Sequence, residues 1–222
     1  MVVCRSADLH QRRRHSLAFP TSNRTMPRSQ NPQPELERRL VAMVRSSEGL
    51  MSALVAVRSL GLGSWCIGAG AVRSLVWDTL HGFDKPSALE DVDVVYFDDA
   101  ADAPHQEARL ESRLRSLLPA LKWEVTNQAT VHHWFADHLG QVVPALGSLE
   151  EGVATWPEFA TCVGVNLDAE DSIGVVAPHG LEDLFDLRVR HNPLRASVST
   201  YQQRIESKRF GARWPLLSID AG

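Results

Sequence analysis

Two acids sit where an apolar strand is expected. The run Asp91-Val92-Asp93-Val94-Val95-Tyr96-Phe97-Asp98 has the β-branched and aromatic content of a buried strand. Acids are almost never fully buried unless they are paired or bind a metal. Asp91 and Asp93 are two positions apart, so they point to the same side of a sheet, with Cα atoms ~6.6 Å apart. Carboxylates that close repel and raise each other's pKa. A divalent cation between them removes the conflict, and hard cations such as Mg²⁺ or Mn²⁺ prefer carboxylate and phosphate oxygens. The plainer reading is a solvated strand entrance, with Asp91 trailing the loop and Asp93 paired to an arginine.

Upstream, Trp65-Cys66-Ile67-Gly68-Ala69-Gly70-Ala71-Val72-Arg73 reads as a strand, a turn of small residues and the start of a helix. Such a turn lets backbone N–H groups and a helix N-terminus approach a phosphate. Arg73, one turn into the helix, can add a charge-assisted contact. A lone Gly-x-Gly is also an ordinary tight turn. Downstream, Leu121-Lys122-Trp123-Glu124-Val125 alternates like a third strand, with Glu124 either exposed at an edge or turned toward the acids. Asn127 and Gln128 follow it. Their amides can read a base edge or a sugar hydroxyl, or they can cap the next helix.

The rest of the chain must hold these pieces. Residues 1–34 carry Arg12-Arg13-Arg14, four prolines and Asp8 as their one acid, with no usable period, and are expected to be a disordered basic tail. The tail reads as dispensable, as a transit peptide or as a weak arm for anionic surfaces. Residues 35–222 are expected to form one domain. Leu36, Leu40, Val41, Val44, Leu50, Leu54 and Val55 give two helices broken at Ser46-Ser47-Glu48-Gly49. Val72, Leu75, Val76 and Leu80 mark the buried stripe of the helix after the small turn. A loop over 84–90 can cover the acids. An amphipathic helix is expected from Asp102 to Leu118 and another from Gln128 to Leu139. A hairpin is expected around Asp168-Ala169-Glu170-Asp171, then helices over Glu182–Val189 and Tyr201–Phe210. The fold class is α/β (α+β), a small mixed sheet packed by helices with a C-terminal hairpin-and-helix extension.

The chain has 222 residues, 44% of them hydrophobic and 23% charged, with a net charge of −4. That balance suits a globular fold and argues against general nucleic-acid binding. Cys4, Cys66 and Cys162 are odd in number and far apart, which points to reduced thiols and a cytoplasmic protein. No apolar run has the length of a membrane span. His132, His133 and His138 lack the spacing of a zinc site. The six tryptophans are read as core or seam residues. No nucleophile-elbow or complete P-loop motif is present.

The pattern of small turn, helix and Asp-x-Asp strand resembles the nucleotidyltransferase superfamily. More closely, the chain is similar to a nucleotidyltransferase-like family long listed as a domain of unknown function. The matching pieces are Gly68-Ala69-Gly70-Ala71-Val72-Arg73, Leu75-Val76-Trp77-Asp78, Leu80-His81-Gly82, Asp91 to Asp98, Asn127-Gln128-Ala129, Trp156-Pro157 and Leu184-Phe185-Asp186-Leu187. The resemblance implies metal-dependent transfer of a nucleotidyl group from an NTP, with Asp91 and Asp93 holding Mg²⁺ (or Mn²⁺). It implies Gly68, Ala69, Gly70 and Arg73 at the phosphates and keeps Asn127 and Gln128 as nucleotide-binding candidates. It also implies a third carboxylate from a later strand, for which Glu124 is the candidate, with Asp98 and Asp99 at the far end of the Asp91 strand as alternatives. Ala69 departs from the superfamily pattern, which prefers Gly or Ser there. The acidic fold favours a small-molecule or protein acceptor. The competing expectation is an inactive nucleotide-binding or protein-interaction module that keeps the fold.

Overall fold

The structure, a computed structural model, describes residues 32–87, 91–100, 105–140 and 142–222. The expected disorder of the tail falls on 1–31, outside the described residues. Helix α1 (Gln33–Ser46) starts two residues ahead of the expected domain boundary, with Pro34 in its first turn, where a missing N–H costs nothing. It meets α2 (Glu48–Arg58) at the expected break, and the Ser47 hydroxyl accepts the Leu50 N–H to cap α2. Strand β1 (Trp65–Gly68), α3 (Gly70–Leu80), β2 (Val92–Tyr96), α4 (Gln106–Leu117), β3 (Trp123–Asn127) and α5 (Val131–Leu139) follow. Then come α6 (Leu149–Ala154), a 3₁₀ turn (Phe159–Thr161), β4 (Gly164–Leu167) and β5 (Ile173–Val176). The chain ends with α7 (Glu182–Phe185), β6 (Arg188–Val189), α8 (Val198–Lys208), α9 (Phe210–Arg213) and β7 (Ser218–Ile219).

Five strands form one mixed sheet in the order β3-β2-β1-β4-β5. Only β2 and β3 run parallel; β1 is antiparallel to both β2 and β4, and β4 and β5 form the expected hairpin. Side-chain alternation separates the two faces. Val92, Val94 and Tyr96 enter the main core with Leu40, Leu54 and Trp77. Cys66 and Val95 face the other way, into a small cluster with Leu149, Val153 and Cys162. Burial raises the thiol pKa of both Cys66 and Cys162 to about 12, so they behave as packing residues. Edge strand β3 is protected by α4: Glu111 accepts the Val125 N–H at 3.1 Å and Glu107 the Asn127 N–H at 2.7 Å.

Several elements differ from expectation: α4 is described from Gln106, the expected start at Asp102 lying outside the described residues, α5 begins at Val131 rather than Gln128 and α8 at Val198 rather than Tyr201, and α6, β6 and β7 were not expected. The helix expected over Glu182–Val189 stops at Phe185, because Leu187 takes φ +56° and the chain turns into β6, which pairs with β7. The last helix breaks at Arg209, φ +52°, into α8 and α9. That break turns Phe210 and Trp214 onto Trp77, at ring distances of 5.5 and 5.1 Å. Helix α3 is therefore buried on more than one stripe. Its Asp78 accepts Trp214 Nε1–H at 2.7 Å and the Ser87 N–H and hydroxyl at 2.6 and 2.8 Å. Strand β3 starts two residues later than expected, a shift that preserves parity and the facing of Glu124.

Among the described residues no single helix is long and apolar enough to cross a membrane. Helices α1 and α2 pass that test only as a pair, meet at 92°, and bury Leu40, Val44, Leu50 and Leu54 in the core.

Candidate active site

The parallel register of β2 and β3 sets Asp93 beside Glu124, and the antiparallel register of β1 sets Gly68 beside Asp93. Asp91 stands at the entrance to β2 on the same side. The three carboxylates line a cleft of about 160 Å³ together with Ala69, Gly70 and Arg73 at the start of α3. The rest of the lining is basic and comes from the last two helices: Arg204 and Lys208 on α8 and Arg213 on α9. A larger hollow of about 550 Å³ lies at the other end of β1, lined by Trp65, Asn166, Arg58 and Asp168 among others. There Arg58 is already committed to the Asp168 carbonyl and the Asp171 carboxylate.

Burial, reinforced by Glu124 and Asp91, raises the Asp93 pKa above the ordinary carboxylate value. Lys208 and Arg204 pull it partly back. Lys122 spans the other two acids, its Nζ donating to Asp91 Oδ1 at 2.5 Å and to Glu124 Oε1 at 3.2 Å. Those contacts raise the Lys122 pKa, with Asp91 the stronger cause. Among the described residues no group of three His, Cys, Asp or Glu side chains is drawn together as a finished metal cage. The donor chemistry suits a hard cation, and Asp91, Asp93 and Glu124 share one face and one cleft.

The start of α3 is built for close approach. Ala69, its N-cap, holds φ 47° and ψ −115°, a region that costs a residue with a Cβ about 1–3 kcal/mol. A Cβ on Gly68 would lie 2.8 Å from Cζ3 of Trp156, so only glycine fits under that ring. Gly68 is thus a packing residue beneath the cleft rather than part of its lining. Arg73 is 4% exposed, and its Nε has no hydrogen-bond partner. Its guanidinium lies over the rings of Phe210, Trp77 and Trp214 at 4.6, 5.3 and 5.7 Å. Burial lowers its pKa to about 10, with Arg204 and Arg213 adding to the fall against the opposing pull of Glu158 and Asp93. A buried cation with a free donor beside a helix N-terminus is a place for an anion.

Asn127 and Gln128 are not brought to this cleft. Both are 4% exposed, and the Asn127 amide is spent on backbone: Oδ1 accepts the Asp98 and Ala129 N–H groups, and Nδ2 donates to the Asp98 carbonyl. Asn127 pairs with Tyr96, at the far end of β2 from Asp93. Gln128 packs against Gly152 of α6, where an added Cβ would come within 2.6 Å of its Oε1. Conversely, sequence reasoning missed Lys122, Arg204, Lys208 and Arg213. Lys208 is one of just three lysines in the chain, which was the one available signal.

The fold agrees with known structures. A structure described as the head domain of a CCA-adding enzyme, solved by NMR, is 28% identical, with a TM-score of 0.70 over 82% of this chain and 95% of that one. A CCA-adding enzyme in complex with CTP is 13% identical (TM-score 0.49), and the Thermotoga maritima CCA-adding enzyme complexed with tRNA is 14% identical (TM-score 0.48). The chain covers 43% and 42% of those two proteins and is itself covered to 83% and 82%; likeness at that level carries nothing further. No match to a curated protein was found. Residues 55–219 match the model of a family described as nucleotidyltransferase. The segment from α2 to β7 that shapes the cleft is the segment that this family shares, and the chain belongs to that nucleotidyltransferase family.

Proposed function

We propose that this protein transfers a nucleotidyl group from an NTP to an acceptor in a reaction that depends on Mg²⁺ or Mn²⁺. The observation that supports it is convergence. Asp91, Asp93 and Glu124 share a cleft with the N-terminus of α3 and the buried Arg73, whose Nε has no hydrogen-bond partner. The three carboxylates would hold the cation, which when bound supplies charge stabilisation for the attacking hydroxyl and the leaving pyrophosphate. Gly70 would bind the phosphates through its backbone N–H and Arg73 through its guanidinium, beside Ala69, whose own N–H is held by the Val163 carbonyl at 3.3 Å. The Lys122 ammonium would leave Asp91 and Glu124 when the cation enters. A small molecule or protein is the proposed acceptor, and a tRNA end belongs in the acceptor panel because of the likeness to a CCA-adding enzyme head domain.

A second reading has its own observation. Lys122 already pairs with two of the three acids, as expected of a module that keeps the fold and binds nucleotide without turnover. Calorimetric titration of each NTP, with and without Mg²⁺, tests the first reading. Binding that requires metal and is lost in Glu124→Gln supports it. Metal-independent binding that Glu124→Gln leaves unchanged favours the second.

A further inference from the structure

The basic wall of the cleft is held in place by a buried acid. Glu158 is completely buried and accepts from Arg204 at both oxygens, Oε1 from Nε at 2.7 Å and Oε2 from Nη2 at 3.3 Å. Thr161 donates its hydroxyl to the same Oε2 at 2.8 Å. That geometry leaves Arg204 Nη1 without a protein acceptor among the described residues, on a side chain that lines the cleft. Lys208, one helical turn on, also lines the cleft and has no carboxylate within 4 Å among the described residues. Arg73 adds a nine-tenths-buried guanidinium with an open Nε. Glu158 is fully buried, whereas the Arg204 side chain is 32% exposed, so the acid anchors one side of a guanidinium whose other side still reaches the cleft.

We propose that Arg204 and Lys208 on α8 form a polyphosphate-binding wall in the cleft of the acids, and that Glu158 is the positioning residue that aims Arg204 into the cleft. This rests on the nucleotidyl-transfer reading and extends it to the C-terminal helices. Linked phosphates match the site because the cations are spread over α3 and α8, more than one phosphate group can meet at once. The acids need a metal to accept such a chain; the basic wall does not.

The test is calorimetric titration of the full chain with inorganic tripolyphosphate in the absence of metal. Wild type is compared with Lys208→Met and with the double variant Glu158→Met/Arg204→Met, which replaces the ion pair by apolar groups and leaves no buried acid unpaired. The wild type is expected to bind, and each folded variant to bind ~10- to 100-fold more weakly, the effect of one or two charge-assisted contacts. A folded double variant of unchanged affinity overturns the proposal, because a purely structural pair would be replaced without loss of binding. If the double variant does not fold, Arg204→Lys decides, since lysine keeps the charge but cannot span both Glu158 oxygens: weaker binding supports the proposal and unchanged binding overturns it. Parallel titrations with Mg²⁺ and NTP separate the two failures. Wild type that binds Mg-NTP with variants that match it sinks the wall alone; wild type that binds neither ligand sinks the nucleotidyl-transfer reading with it.

Discussion

Asp93 is the residue on which the site turns. Its folded pKa lies above its unfolded value, through burial first and then Glu124 and Asp91. An acid shifted upward adds stability below its unfolded pKa and loses that contribution as pH rises through the folded one. Metal-free Asp93→Asn is therefore expected to raise the urea midpoint at pH 7, and the gain should vanish below the ordinary Asp value of 3.8. A difference that is the same at every pH would contradict this. Ala69 stores strain next door, so Ala69→Gly should stabilise by about 1 kcal/mol in a denaturant titration; a loss of stability would mean that the turn needs its methyl group. A period of two places Asp91 and Asp93 on one face, whereas Glu124 read equally as an exposed edge residue, and only the register of β3 on β2 sets it beside Asp93. Lys122 was not legible. Alternation puts it on the face of Glu124, two residues on, but a lysine just ahead of β3 reads as an ordinary solvated charge until the register of β3 on β2 brings Asp91 within reach.

At the scale of elements, the close fit between β1 and the Trp156 loop sets the position of the small turn. Gly68→Ala should cost about 1–3 kcal/mol, because its Cβ would meet the indole, and Trp156→Leu should recover part of that loss by making room. Urea midpoints of the two single variants and the double variant check this, and simple additivity would contradict it. Element type was readable wherever the apolar period was long, as in α1, α2 and the β4–β5 hairpin. It failed where one backbone angle decides. The left-handed conformations of Leu187 and Arg209 end α7 and split α8 from α9, and neither residue type announces them. Asn127 was misplaced for a related reason. An amide after a strand looks the same whether it faces a ligand or closes a turn, and here the Asp98 backbone takes it.

For the molecule as a whole, the net charge of −4 conceals a cleft with one acidic and one basic wall. The basic wall was illegible because charges on a helix such as α8 look like an ordinary solvated face until Trp77, Phe210 and Trp214 pack α9 onto α3. The cations lie within electrostatic reach of Asp93, and ligand binding in such a cleft should weaken as salt is raised. A titration of Mg-NTP at rising NaCl checks this, and salt-independent affinity would contradict it. The step on which this function rests is transfer of the nucleotidyl group itself. Its most direct test follows the label from α-phosphate-labelled and γ-phosphate-labelled NTPs into an acceptor panel, with Mg²⁺, for wild type and Asp93→Asn. Label transferred from the α position alone, and absent with Asp93→Asn, is the predicted result. An NTP that binds but leaves no α-label on any acceptor would contradict the claim and make the protein a nucleotide-binding module.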